Sequence, residues 1–250
     1  EVAENSHIFR TVGLGYANLG SLIMGYGYGY DSVEGRAICG ALTAIMTGEA
    51  YAESARMAAG MGPFPGYRDA RASGVPKPVA KDNVASMLEV IEQHRAAVEK
   101  IPDNEEFGYL KTEAAKVWDR AAALGREHGY RNAQVTVLAP TGTISFLMDC
   151  DTTGIEPDIA LVKYKLLAGG GMLKIVNQTV KPALEKLGYR AEEIAQIIAH
   201  IDKYDTIEDV DGERSGLKRE HLPFFDCASK AHRGVSSFGY VVHPPQRAAA

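Results

Sequence analysis

Cysteine is scarce in this chain: Cys39, Cys150 and Cys227 are the only three in 250 residues. They are odd in number, far apart and without C-x-x-C spacing. That excludes a disulfide scaffold and a thiolate zinc site, and it predicts a reducing cytoplasm as the compartment. No apolar run approaches the ~18 residues that a membrane span requires. Residues 1–9 lack the basic start and apolar stretch of a secretory signal. Positive charge is also in short supply, with 27 Lys and Arg against 32 Asp and Glu, a net charge of -5. A broad nucleic-acid footprint needs a basic face, so direct DNA binding is not expected, whereas one local nucleotide site remains open. The seven histidines show neither H-x-x-x-H nor H-E-x-x-H spacing, so no metal site is expected.

What is present is the composition of a folded domain. The chain is 46% hydrophobic and 24% charged, ordinary for a globular protein. At ~150 residues per domain this length fits one large domain or two small ones.

Periodicity predicts a helix-rich chain. Asp31 and Ser32 read as the cap of a helix over 34–60 that carries few charges and is buried on more than one face. Gly62-Pro-Phe-Pro-Gly66 stops it. Asp82 or Asn83 starts a second helix to about Lys100, with Val84, Met87, Leu88, Ile91 and Val98 on its apolar face. A third runs over 109–128, with Leu110, Ala114, Val117, Ala121 and Leu124 inward and Gly129 ending it. The β-branched run at 134–138 reads as a buried strand, and 159–164 as a second strand. Gly169-Gly-Gly171 is a turn. Leu173, Val176, Val180, Leu184 and Leu187 fit one helix divided by Pro182. Ile194, Ile197, Ile198, Ile201 and Tyr204 mark a last amphipathic helix.

The strongest chemical signal is the strand–loop–helix unit at 134–149. Pro140 fixes its own φ, Gly142 permits close backbone approach, and Thr141, Thr143 and Ser145 put three hydroxyls within five residues. A helix starting near Thr143 leaves its first N–H groups without internal partners, and these are suited to a phosphate. No Lys or Arg is present and the G-x-x-x-x-G-K spacing is missing, so this is not a P-loop. The competing reading is a plain capped helix. Gly13-Leu-Gly15-Tyr-Ala-Asn18 falls short of G-x-G-x-x-G, with no clear strand before it, and reads as packing glycine. Asp149, Asp151, Glu156 and Asp158 are candidates for acid–base or metal work, set against the commoner capping roles of loop acids. Cys150 and Cys227 each adjoin aspartate, which disfavours a reactive thiolate.

The strings themselves resemble a family. Arg131-Asn-Ala-Gln-Val-Thr-Val-Leu-Ala-Pro-Thr-Gly-Thr-Ile-Ser145 and Asp149-Cys-Asp-Thr-Thr-Gly-Ile-Glu-Pro157 are similar to the catalytic chain of adenosylcobalamin-dependent (class II) ribonucleotide reductase. So are Arg10-Thr-Val-Gly-Leu-Gly-Tyr-Ala-Asn-Leu-Gly20, Tyr30-Asp-Ser-Val-Glu-Gly-Arg-Ala37, Ala168-Gly-Gly-Gly171, Asn177-Gln178 and His221-Leu-Pro-Phe-Phe-Asp-Cys227. The resemblance spans 8–230. It implies an α/β fold, namely the second half of a ten-stranded α/β barrel. Residues 1–230 would be part of the catalytic barrel, and 231–250 a divergent or truncated end.

The resemblance also implies an activity: conversion of ribonucleotides to 2′-deoxyribonucleotides by thiyl-radical chemistry with adenosylcobalamin. The substrate would be a ribonucleoside di- or triphosphate and the reductant of thioredoxin type, in an assembly compatible with a homodimer. It assigns the substrate phosphates to Pro140, Thr141, Gly142, Thr143, Ile144 and Ser145, with Ile144 acting through its backbone alone. It assigns no catalytic residue here. The family's radical cysteine lies in N-x-C-x-E, whereas the three cysteines have Ala37, Met148 and Phe225 two residues before them and Ala41, Thr152 and Ser229 two residues after. An internal fragment beginning partway through the barrel, inactive alone, is the expectation. The alternative is a non-catalytic nucleotide- or phosphate-binding module derived from the same barrel. An in-frame N-x-C-x-E segment encoded upstream of Glu1 favours the enzyme, and a start codon there favours the module.

Overall fold

The computed structural model describes residues 1–68, 83–166, 169–210 and 212–228. It divides into two compact units, residues 1–15 with 36–138, and residues 16–35 with 139–250. The predicted loop at 75–78, the candidate cap Asp82 and the end at 231–250 lie outside the described residues.

Eight helices are described: α1 (Val2–Phe9), α2 (Leu19–Gly25), α3 (Val33–Met61), α4 (Asn83–Ala97), α5 (Gly108–His128), α6 (Gly142–Leu147), α7 (Val180–Lys186) and α8 (Ala191–Tyr204). Ser32 opens α3 as expected, its hydroxyl accepting from the Gly35 amide at 2.9 Å. No residue from Cys39 to Ala52 is fully exposed, as the scarcity of charge predicted.

The first unit is built on α3, α4 and α5. Tyr51, Ala52, Ala55, Ile91, Val98, Ala114, Trp118 and Ala121 form its core. The predicted faces of α4 and α5 are the buried ones. Gly48 lets α3 approach α5 closely, since a Cβ there would lie 2.7 Å from the Val117 side chain. Trp118 is 1% exposed and packs against Tyr51, while Tyr130 sets its ring edge against Tyr51 and donates its hydroxyl to the Ala121 carbonyl at 3.0 Å.

The run at 134–138 departs from expectation. It is extended but pairs only with residues 12–14. Val12 and Leu14 donate to Gln134 and Val135, Val137 donates to Leu14, and one parallel bridge joins Leu14 to Thr136. Val135 is buried, whereas Val137 and Leu138 are 44% and 45% exposed. A buried strand needs neighbours on both edges, and among the described residues this segment has one. Gly13 packs against the Val137 side chain, which is the role left to it once a dinucleotide fingerprint is set aside.

In the second unit, β1 (Val162–Leu166) and β2 (Met172–Val176) form an antiparallel pair running from Val162 opposite Val176 to Leu166 opposite Met172. The second predicted strand is therefore shifted by about three residues. The predicted helix through Leu173 and Val176 is corrected: both residues belong to β2, and the helix is α7 alone. Pro182 divides nothing. It is the third residue of α7, in the first turn, where no intrahelical N–H is needed. Helix α8 follows its predicted period, with Ile194, Ile197 and Ile201 packed on Val180, Leu184, Val162 and Phe225. The described residues thus form a helix-rich fold with a single two-stranded sheet. No described helix is long and apolar enough to cross a membrane.

Candidate functional site: an open row of backbone amides

Helix α6 begins at Gly142, and Thr141 is its N-cap residue with φ 54 and ψ 28. A left-handed backbone is unusual for any residue but glycine and least expected of a β-branched one. It costs roughly 1–2 kcal/mol. Three hydrogen bonds oppose that cost. The Gly154 amide donates to Thr141 Oγ1 at 2.7 Å, Thr141 Oγ1 and Ser145 Oγ lie 2.6 Å apart, and the Ser145 amide donates to the Thr141 carbonyl at 2.8 Å. At ~0.5–1.5 kcal/mol net for each bond, they suffice to hold the conformation.

The consequence is a row of unengaged donors. The Thr141 side chain does not cap the helix. Among the described residues nothing accepts from the N–H groups of Gly142, Thr143 or Ile144, and all three residues are exposed. A Cβ at Gly142 would meet nothing within 4 Å, so the approach to the backbone is open. The six loop residues predicted to bind phosphate are therefore contiguous but not equivalent. Pro140 is exposed at the entry, Thr141 is half-buried and internally bonded, and Ser145 is fully buried. Ile144 has an exposed side chain, so only its amide belongs to the row.

The segment at 149–158 braces this loop. Gly154 adopts φ +52, and a Cβ there would lie 2.8 Å from the Ala139 carbonyl oxygen, so glycine is what the contact to Thr141 requires. Thr152 is tied to α2: its amide donates to Asn18 Oδ1 at 3.1 Å, and its hydroxyl accepts from the Ser21 amide at 3.1 Å. Tyr30 donates to the Ile155 carbonyl at 2.5 Å. Neither Gly154, Thr152 nor Asn18 was singled out from the sequence as part of this loop. A glycine inside Thr-Thr-Gly-Ile-Glu was the available signal, but not its partner.

Two of the four acids at 149–158, Asp151 and Asp158, take up structural positions. Asp151 accepts from the Gln178 amide at 3.0 Å and the Thr179 hydroxyl at 2.8 Å, at the entry to α7. Asp158, 3% exposed, binds Lys163 and Asn177 at 2.6 Å each. No group of three metal-ligating side chains occurs among the described residues.

The cysteines are free thiols. Burial, reinforced by the Asp158 charge, pushes the Cys227 thiol up to about 12. Burial also raises Cys39. At pH 8 only about one Cys227 in ten thousand would be thiolate, and the thiolate is the nucleophile. Cys227 is accordingly expected to resist iodoacetamide in the folded protein and to label rapidly in urea. Equal labelling rates, followed by peptide mass spectrometry, would contradict the burial described.

Comparison with known proteins shows the family of the chain. Residues 1–234 match the family described as ribonucleotide reductase, barrel domain. A vitamin B12-dependent ribonucleotide reductase of Rhodopirellula baltica is 53% identical over 249 residues, covering 100% of this chain and 22% of that protein. One from Bradyrhizobium diazoefficiens is 49% identical over 230 residues, covering 84% and 17%. One from Streptomyces clavuligerus is 44% identical over 242 residues, covering 96% and 23%. The chain thus spans about a fifth of the length of these curated relatives. With a match that runs through both the string that contains the amide row and the string that follows it, the chain belongs to the ribonucleotide reductase family, through its barrel domain.

Proposed function

We propose that this chain is a segment, from the second half of a ten-stranded α/β barrel, of a cytoplasmic enzyme that reduces ribonucleotides to 2′-deoxyribonucleotides. Its own contribution is the cradle for the substrate's phosphates. The substrate is a ribonucleoside di- or triphosphate, the complete enzyme uses adenosylcobalamin and a thioredoxin-type reductant, and its assembly is a homodimer. The observation that carries the cradle is the row of three exposed, unpartnered amides at Gly142, Thr143 and Ile144.

The physics of that row suits a phosphate. Three successive N–H groups at a helix start converge on one point and match the several acceptor oxygens of a phosphate. A six-residue helix adds little macrodipole, so the amides themselves supply the field. The loop has no cation, and binding rests on placement rather than on a point charge.

The radical part of the chemistry does not fit the residues present. Adenosylcobalamin would supply radical generation in such an enzyme, and none of the three cysteines here lies in the N-x-C-x-E context of the radical residue. Partial burial raises the Cys39 and Cys227 thiols above their ordinary value. What these residues do is bind and orient, which is needed for hydrogen abstraction and insufficient for it.

The test uses the longest natural polypeptide that carries this sequence. Thr143→Ala combined with Ser145→Ala is expected to weaken nucleoside di- or triphosphate binding roughly five- to tenfold by calorimetry, on the scale of one or two side-chain hydrogen bonds. Unchanged affinity would remove the Thr143 and Ser145 hydroxyls from the substrate site and leave the backbone amides, which alanine keeps, to carry it alone.

A further inference from the structure

Arg10 ends α1 in a left-handed conformation, φ 50 and ψ 46, unusual for a residue other than glycine. Its backbone is held on both sides. The Arg10 amide donates to the Ser6 carbonyl at 3.0 Å, and the Arg10 carbonyl accepts from Asn132 Nδ2 at 2.7 Å. Asn132 is itself fixed by Ser54, 2% exposed, which donates from Oγ to Asn132 Oδ1 at 2.8 Å and accepts from the Asn132 amide at 3.0 Å. The Arg10 side chain therefore leaves from a fixed point, and the residue is half-buried. Its Nε is buried without an acceptor, and among the described residues nothing pairs with the guanidinium. A guanidinium cannot shed its proton. An unpaired charge drawn into the interior is costly, and a water that satisfied Nε would not neutralise it.

We propose that Arg10 is the docking point for an aspartate or glutamate carried by the same polypeptide outside residues 1–250, on a segment that lies over residues 10–14. The inference rests on the reading of this chain as part of a longer protein and goes beyond it. Three observations choose this occupant over a free anion. A carboxylate offers two oxygens to the planar fork of Nε and Nη, which satisfies the buried donor and the charge together. Val12 and Leu14, in the run that Arg10 enters, are 45% and 49% exposed, and among the described residues 12–14 pair only with 134–137. Apolar surface beside the charge calls for a covering protein segment rather than a dissolved ion. The chain also covers only 22% of the Rhodopirellula baltica relative, so most of that polypeptide lies outside it.

The test again uses the longest natural polypeptide that carries this sequence. Arg10→Lys puts an amine in place of the guanidinium, and a water-soluble carbodiimide then joins it to a carboxylate in contact. The carbodiimide activates the acid, the amine attacks the acyl carbon, an amide forms and a urea departs. Tryptic peptides are mapped by mass spectrometry on a mixture of isotope-labelled and unlabelled protein, which separates links within one copy from links between two. A link from position 10 to an acid outside residues 1–250, within one copy, is the expected result. A link to an acid inside 1–250, a link between copies, or no link at position 10 overturns the proposal. If Arg10→Lys does not fold, the natural protein decides through phenylglyoxal, which adds to accessible guanidinium groups. Arg10 is expected to react about tenfold slower than the exposed Arg219, the scale of one hydrogen bond to a charged group. Equal rates overturn the proposal. A natural polypeptide no longer than these 250 residues defeats the segment reading, and the docking point with it. A longer one without the expected link defeats the docking point alone.

Discussion

Replacing Ile144 by proline is expected to weaken nucleotide binding ten- to a hundredfold while leaving the fold intact. Ile144 offers the cradle nothing but its N–H, since its side chain is 53% exposed. Proline deletes that one atom group. A hydrogen bond to a charged acceptor is worth about 1.5–3 kcal/mol net, and ~1.4 kcal/mol is a factor of ten in affinity. The structural cost is small for a reason visible elsewhere in the chain. Ile144 is the third residue of α6, and Pro182 is the third residue of α7. Both positions lie in a first turn, where the amide has no partner within the helix. Thr143 would precede proline just as Lys181 does. The measurement is a calorimetric titration with a nucleoside diphosphate or triphosphate, beside a urea-unfolding midpoint. Unchanged affinity with an unchanged midpoint would show that the amide row faces no ligand.

The helices of this chain were legible because their apolar positions repeat every ~3.6 residues and because the residues that stop them are chemically explicit. Ser32, Gly62 and Gly129 behave as read, the two glycines with φ of 76° and 74°. Strands were less legible, for a different reason. A β-branched run reports extended backbone but not how many neighbours it has, and 134–138 has one edge partner where burial was expected. The spacing of Leu173, Val176, Val180, Leu184 and Leu187 satisfies a helical period by accident, across a strand and the helix after it. The glycine turn before Met172 carried the truer signal, because an antiparallel partner lies on its other side. At the candidate site the anion-binding character of 140–145 was readable from proline, glycine and hydroxyls. The left-handed Thr141 was not, since local propensity argues against it and the group that stabilises it sits at Gly154.

The second large effect is on stability, and it follows from a charge placed where water does not reach. Asp158 binds Lys163 Nζ through one carboxylate oxygen and Asn177 Nδ2 through the other, each at 2.6 Å. Lys163 Nζ also binds the Asp151 carbonyl at 2.6 Å, and Asn177 accepts from the Thr179 amide at 2.8 Å. One carboxylate therefore joins the 149–158 segment to β1 and to the start of α7. Asp158→Ala leaves Lys163 and Asn177 in place and removes their acceptor, so a loss of about 3–5 kcal/mol is expected, the scale of a buried pair broken on one side. Asp158→Asn keeps the shape and one acceptor oxygen, and should lose less. The pH dependence has a definite sign. Burial raises the Asp158 carboxyl above its ordinary value, with Lys163 and Asn177 pulling it part of the way back. A carboxyl raised in the folded state contributes its stability fully below the unfolded value of ~3.9 and loses it as pH rises through the higher folded value. The stability difference between the natural protein and Asp158→Asn should therefore shrink as pH climbs through the acid range. Urea-unfolding midpoints at pH steps from acid to neutral measure it. A difference that grows with pH would mean that the ion pair to Lys163, rather than desolvation, governs this carboxyl.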